Sequence, residues 1–185
     1  MKEGVEALRA RHGPDIADWY IISAGYGLLD EAEIIVPYNV TFKNVATGKN
    51  LTKDELLDRY THLQIHEDVE TLISRYDLVF FLLGQEYVRA LQQLPFEVPD
   101  KVTQIFLAPP SWESRIPDGS SNVHVALAGV DLVAQLQDAT RYNLKGFVFK
   151  KFCKTACDQA HRVFSEVKQN PQRMIEIVLD CNGRF

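Results

Sequence analysis

The longest apolar run in the middle of the chain is Leu78-Val79-Phe80-Phe81-Leu82-Leu83, and Gly84 follows it at once. Six apolar residues without polar alternation are typical of a strand that is covered on both faces of a parallel sheet. Helical patterns lie on either side of this run, near residues 69–75 and 87–94. The sequence therefore predicts a buried strand between two helices.

The alternation of strands and helices continues outward from this strand. Strands are predicted at Trp19–Ser23, Gln104–Ala108 and Val123–Leu127, although residues 123–136 also fit a single helix. Thr52 and Glu55 have the spacing of a capping box, which opens a helix. The fold class is therefore predicted to be α/β, with three layers: a mainly parallel central sheet and helices on both faces.

Composition and charge indicate a cytoplasmic protein of two parts. The chain is 46% hydrophobic and 24% charged, with no stretch apolar enough to span a membrane and no apolar core of a signal peptide at its start. Residues 1–140 carry 11 Lys and Arg against 21 Asp and Glu, whereas residues 141–185 carry 9 against 4. We assign residues 1–140 to the α/β domain and residues 141–185 to a basic extension of strand and helices packed on it. Such a segment suits either a polyanion or its own acidic domain.

The segment Ser23-Ala24-Gly25-Tyr26-Gly27-Leu28-Leu29, followed by Val36-Pro37-Tyr38, is the most specific pattern in the chain. Its glycines permit a close backbone approach, and its tyrosines suit stacking on a nucleobase. Alternatively, the tyrosines plug the rim of the core and the glycines only form the turn. The predicted ligand-binding residues are Ser23, Gly25, Tyr26, Gly27, Pro37, Tyr38, Asn39, Gly84, Gln85 and Tyr87.

This pattern resembles the S-A-x-Y-G-L-L … P-Y signature of the YaaA-type peroxide-stress proteins and of a related family of small bacterial and phage domains. In the second family a Gly and a Tyr follow a buried strand, as Gly84 and Tyr87 do in this chain. The resemblance implies a nucleic-acid-associated protein of stress response or phage defence. The usual opening strand of the family has no counterpart in the sequence, so an open sheet edge is expected to accept a protein partner.

Two carboxylates are candidates for catalysis. Gly84-Gln85-Glu86 faintly resembles the loop of uracil-DNA glycosylases, which implies that Glu86 positions a water for attack on a sugar carbon. Asp30 is the second candidate, because cleavage of a glycosidic bond generally needs a negative group near the reacting carbon. The alternative for Glu86 is an exposed acid at a helix start, where the helix dipole favours it.

Lysines alternate with aromatic residues in Lys145-Gly146-Phe147-Val148-Phe149-Lys150-Lys151-Phe152-Cys153-Lys154. This composition suits the phosphates and stacked bases of DNA or RNA, so the predicted contacts are Lys145, Lys150, Lys151 and Lys154. The alternative is an amphipathic edge strand around Phe147–Phe149 with buried aromatic residues. No metal or cofactor is expected, since His62 and His66 lack a third ligand and the phosphate-binding fingerprints are absent.

Two functions therefore remain open. The first is a nucleic-acid-associated protein with a pocket of nucleobase size, acting on N-glycosidic bonds of bases or modified bases. The second is a non-catalytic interaction or small-molecule-binding module within a multi-protein assembly.

Overall fold

The computed structural model describes residues 1–42, 52–92, 94, 96–115 and 122–182. The chain forms two compact units, and the predicted division at residue 140 stays a prediction. One, which we call the sheet unit, comprises Met1–Asp18, Asp77–Leu82 and Asp100–Phe185. The other, which we call the hairpin unit, comprises Trp19–Tyr76 and Leu83–Pro99.

Helices and strands follow one another along the described part of the chain, whose last four elements are all helices. In chain order the elements are α1 (Lys2–His12), β1 (Tyr20–Ser23), β2 (Gly27–Asp30), α2 (Lys53–His62), α3 (Ile65–Ile73), β3 (Leu78–Phe81), α4 (Gln85–Ala90), β4 (Thr103–Ala108), β5 (Val123–Leu127), α5 (Asp131–Gln135), α6 (Leu144–Ala156), α7 (Ala160–Gln169) and α8 (Arg173–Asn182). Short 3₁₀ turns lie at Pro14–Ile16 and Pro110–Arg115.

The sheet unit contains a three-stranded parallel sheet in the order β3-β4-β5. Ile105 of the central strand packs into a core with Val148 and Phe152 of α6 and with Met174 of α8. On the opposite face the buried rings of Phe81 and Phe106 stack 4.3 Å apart. The α/β class and the parallel strands are confirmed, whereas a layer of helices over this second face stays a prediction.

Strand β1 does not join the parallel sheet, which corrects the predicted role of Trp19–Ser23. It pairs antiparallel with β2, with Ser23 opposite Gly27. Parallel neighbours need a crossover of a dozen or more residues, whereas only three residues separate β1 from β2. The short connection therefore permits a hairpin and excludes a parallel partnership between these two strands.

The edge strand predicted at Phe147–Phe149 is wrong, because this segment lies inside α6. Leu144, Val148 and Phe152 recur every four residues and are buried, which is the pattern of one helix face. Phe147, Val148 and Phe149 fit the two-residue period of a strand, but this fit extends over only three residues. The four-residue spacing of buried residues over the whole of Leu144–Ala156 therefore indicates a helix, whereas Phe147–Phe149 alone does not.

Other local predictions hold. Thr52 Oγ1 accepts a hydrogen bond from the Glu55 amide at 3.2 Å, and the Thr52 amide donates to Glu55 Oε2 at 2.7 Å, so the capping box forms as expected. Residues 123–136 form a strand followed by a helix rather than one helix. Within the described part of the chain, no helix is long and apolar enough to cross a membrane.

Candidate ligand-binding site

The turn of the β1–β2 hairpin is built around the buried hydroxyl of Ser23. Its Oγ accepts hydrogen bonds from the amides of Gly25 and Tyr26, at 3.2 and 3.1 Å. Gly27 follows with a φ of 78°, and a Cβ there would lie 2.8 Å from the carbonyl oxygen of Leu63. Glycine is therefore required at position 27 for both its backbone conformation and the close approach of the α2–α3 connection.

Tyr38 packs over this turn and is fixed by it. Its hydroxyl lies 2.6 Å from Ser23 Oγ, and a Cβ on Gly25 would lie 2.8 Å from the Tyr38 ring. Because the two amides already occupy the lone pairs of Ser23 Oγ, Ser23 donates its own hydrogen to Tyr38. Ser23 therefore positions Tyr38, which keeps its hydroxyl hydrogen for another acceptor.

Tyr26 completes the outer part of the site. Its ring lies 5.1 Å from that of Tyr38 in an edge-to-face arrangement, and its hydroxyl donates to the Val36 carbonyl at 3.1 Å. The exposed fractions of Tyr26 and Tyr38 are 42% and 41%. Both rings are thus held in place by hydrogen bonds although a large part of each faces solvent.

A second group of rings lies deeper in the same unit. The ring of Phe42 lies 5.0 Å from that of Tyr60 and 5.1 Å from that of Tyr87, edge-to-face in both pairs. Burial raises the pKa of Tyr87, and the neighbouring Tyr38 phenol raises it further. Tyr38 of the outer pair therefore influences the ionisation of Tyr87 in the second group. We call Tyr26, Tyr38, Phe42, Tyr60 and Tyr87 the aromatic cluster.

The hydroxyl of Tyr60 is the unusual polar atom of this cluster. Tyr60 is 5% exposed, and no hydrogen bond from any described residue reaches its hydroxyl. Burial raises the pKa of this phenol, the charge of Glu86 raises it further, and Arg89 opposes the effect of Glu86. An unpaired phenol hydroxyl is therefore buried within the field of a carboxylate.

Glu86 lies in the first turn of α4 and is held by Arg89 one turn later. The guanidinium donates from Nη1 to both carboxylate oxygens, at 3.0 and 2.9 Å. The Glu86 side chain is 19% exposed, whereas that of Arg89 is 53% exposed. The carboxylate is therefore the sheltered partner of the pair and the guanidinium the accessible one.

The hairpin unit thus holds most of the predicted site. Ser23, Tyr38, Tyr87 and Glu86 belong to the arrangement described above, and the turn glycines shape it. Pro37, Asn39, Gly84 and Gln85 lie exposed in the segments beside it: Pro37 and Asn39 flank Tyr38, and Gly84 and Gln85 precede Glu86.

Asp30 is not brought to the hairpin turn. It pairs in register with Tyr20, at the other end of the hairpin, about 10 Å along the strand from Gly27. Its carboxylate accepts a hydrogen bond from the Ala32 amide at 2.9 Å. Asp30 therefore shapes the chain reversal after β2, which is a structural role.

Three members of the site are absent from the sequence prediction: Phe42, Tyr60 and Arg89. The sequence pattern assigns Tyr60 only to the apolar side of helix α2. Arg89 stands three residues after Glu86, a helical spacing that pairs opposite charges, so this signal is present in the sequence. Phe42 gives no such signal, because its contacts are with residues distant along the chain.

The four predicted phosphate-binding lysines lie on α6, in the sheet unit. Lys150 and Lys154 contact the carboxylate of Glu3 at 2.7 and 3.5 Å. Lys151 lies 5.7 Å from the centre of the Phe147 ring, and Lys145 lies 4.9 Å from that of Trp112. At about 100° per residue, Lys145 points roughly opposite to Lys150 and Lys154 around the helix. These lysines do not form one row, and their contact with nucleic acid stays a prediction.

The remaining candidate ligands for a metal do not assemble. His66 donates from Nδ1 to the Leu91 carbonyl at 2.7 Å, and His62 is exposed on α2. Burial raises the pKa of the Cys153 thiol to about 12, so this thiol is a poor ligand at neutral pH. No group of three potential ligands was found among the residues that the structure describes.

The chain was compared with curated proteins, solved structures and protein families. No curated protein and no solved structure matches the chain. The resemblance to YaaA-type proteins therefore stays a prediction. A family model described as a family of unknown function (DUF6884) matches residues 6–107, a range that contains the whole hairpin unit and ends before α6. Because this model covers more than half of the chain, the protein belongs to the DUF6884 family of unknown function.

Proposed function

We propose that the hairpin unit binds a planar ligand of nucleobase size at the aromatic cluster. The buried Tyr60 hydroxyl carries this proposal, because no described residue supplies it with a hydrogen-bond partner. Leaving such a group unpaired costs about 1–3 kcal/mol, which a ligand with a polar edge removes when the neighbouring rings move and admit it. Nucleobases combine a flat ring with a polar edge, so they match both the rings and this hydroxyl.

The outer tyrosines give such a ligand an accessible platform. Tyr26 and Tyr38 are both held by hydrogen bonds, so their rings lose little conformational freedom when a flat ring packs on them. The hydroxyl hydrogen of Tyr38 offers a donor to an acceptor on the ligand edge. Asn39 lies exposed next to Tyr38 and supplies a further amide at the rim.

Binding is tested by calorimetry with adenosine, guanosine, cytidine and uridine on wild type and two variants. Tyr26→Leu removes a half-exposed ring and is expected to weaken binding by about 5- to 150-fold, the value of one base–aromatic contact. Tyr142→Leu is the matched control, because Tyr142 is an exposed tyrosine of the sheet unit. Absence of binding to all four nucleosides, or equal losses in both variants, contradicts the proposal.

Cleavage of an N-glycosidic bond is the catalytic form of this proposal. In that reaction a water oxygen bonds to the sugar carbon, the glycosidic electron pair leaves with the base, and Glu86 takes the proton from the water. Arg89 donates to both oxygens of Glu86, and each oxygen keeps a second lone pair for the water. Glu86→Gln separates the two forms: a catalyst loses release of free base, measured by chromatography, whereas a binding module keeps its affinity for neutral nucleosides.

Contact with a polynucleotide is a separate proposal, supported by the excess of 9 Lys and Arg over 4 Asp and Glu in residues 141–185. A salt titration of binding to labelled DNA and RNA tests it, with Lys150→Glu/Lys151→Glu as the charge-reversed variant. Affinity that falls with salt and with charge reversal supports it. Roles in stress response or phage defence, and a protein partner at a sheet edge, rest on the sequence resemblance alone.

A further inference from the structure

We infer that the ligand of the aromatic cluster carries a positive charge on its ring, as N-alkylated purines do. This inference rests on the proposed function and concerns the same site. It identifies the chemical class that the site prefers, and it assigns Glu86 and Arg89 separate tasks in that preference.

The first observation is the distribution of charge between the two units. The hairpin unit contains 6 Lys and Arg against 11 Asp and Glu, a net of −5, whereas the sheet unit contains 14 of each. The whole net charge of the chain therefore lies in the unit that holds the aromatic cluster. Such a field attracts cations and repels anions that approach the site.

The second observation is the arrangement of the rings. The planes of Phe42 and Tyr60 meet at 80°, those of Phe42 and Tyr87 at 66°, and those of Tyr26 and Tyr38 at 79°. Ring faces carry negative electrostatic potential, and several rings at steep angles are typical of sites that recognise organic cations. Phe42 and Tyr60 are buried, whereas Tyr26 and Tyr38 are 42% and 41% exposed, so a cationic purine on the two outer rings gains beyond what a neutral purine gains by stacking.

The third observation is the asymmetry of the Glu86–Arg89 pair. Glu86 is sheltered at the cluster, and its negative charge acts more strongly on the Tyr60 phenol than the positive charge of Arg89 does. Arg89 is half exposed and stands only three residues from Glu86, so its guanidinium can leave this carboxylate while α4 stays in place. In the free protein Arg89 thus occupies the place of a cationic ligand, and the ligand displaces it from Glu86.

The experiment compares isomers that carry the same methyl group at different positions and differ in charge. At pH 6, N1-methyladenosine and N7-methylguanosine are both cationic, whereas their isomers N6-methyladenosine and O6-methylguanosine are neutral. Calorimetry at low salt is expected to show about 2- to 5-fold tighter binding of the cationic member, the range for a cation on exposed aromatic faces. A fixed preference for one methyl position, without regard to charge, overturns the inference.

Two variants locate the preference. Glu86→Gln is expected to remove the difference between the isomers, because it weakens the binding of N1-methyladenosine more than that of N6-methyladenosine. Arg89→Gln is expected to tighten binding of N1-methyladenosine, because it removes the competitor for Glu86. Weaker binding of N1-methyladenosine to Arg89→Gln, or neutral isomers that bind as tightly as cationic ones, overturns the inference and leaves the proposed function standing. If none of the nucleosides binds, both the inference and the proposed function are contradicted.

Discussion

Replacement of Tyr60 by phenylalanine is expected to stabilise the free protein and to weaken the binding of its ligand. The ring keeps its edge-to-face contact with Phe42, while a buried hydroxyl without a described partner disappears. Removal of such a group relieves up to about 1–3 kcal/mol of desolvation. For a chain of this length, 1 kcal/mol corresponds to about 2–4 °C in the thermal midpoint. The same change removes one hydrogen bond to the ligand, which lowers affinity by about 2- to 12-fold.

Urea unfolding and calorimetric binding together measure the two effects. Tyr20→Phe is the control of opposite sign, since the Tyr20 hydroxyl lies 3.0 Å from that of Tyr76 and its removal breaks a hydrogen bond that is already formed. We expect Tyr20→Phe to lose about 1 kcal/mol of stability and to keep its affinity for the ligand. A loss of stability in Tyr60→Phe with unchanged affinity would refute the reasoning, because it would mean that the hydroxyl serves only the fold.

Three further changes test the local structure. Gly27→Ala is expected to lose about 1–3 kcal/mol in urea unfolding, because its positive φ is strained for alanine and the new Cβ meets the Leu63 carbonyl. Thr52→Ala is expected to lose about 1 kcal/mol, measured in the same way, by removal of the capping box of α2. Burial lowers the pKa of Lys145 to about 8 from 10.5, so the unfolded state binds more protons between these values and stability rises with pH there. Lys145→Met is expected to flatten that rise in unfolding experiments from pH 8 to 10.5.

The strands of the parallel sheet were predictable because their environment is uniform. β4 is buried from Gln104 to Ala108, so nearly every position selects an apolar residue and the run stands out in the sequence. The hairpin was not predictable in the same way. A run of four apolar residues predicts a strand but not whether the neighbouring strand is parallel or antiparallel. Only the short connection between Ser23 and Gly27 indicates antiparallel pairing.

The candidate site was predictable only where its contacts are local. A single turn contains Ser23, Gly25, Tyr26 and Gly27, so their positions in the sequence are enough to predict that they lie close together. Phe42 meets Tyr60 and Tyr87 from another part of the chain, and helical periodicity assigns Tyr60 to the core whether or not its hydroxyl has a partner. Whether a buried hydroxyl has a hydrogen-bond partner depends on the tertiary structure, so the spacing of residues in the sequence does not predict it.

The two features that the sequence joined into one nucleic-acid interface belong to two different units. The aromatic cluster lies in a unit of net charge −5, and the lysines lie in a unit whose charges balance, with Lys150 and Lys154 on the carboxylate of Glu3. A polyanion near the cluster is repelled by the same field that attracts a small cationic base. Affinity at the cluster for free nucleosides, with added salt weakening the binding of only the cationic ones, therefore separates a small-ligand site from a nucleic-acid interface.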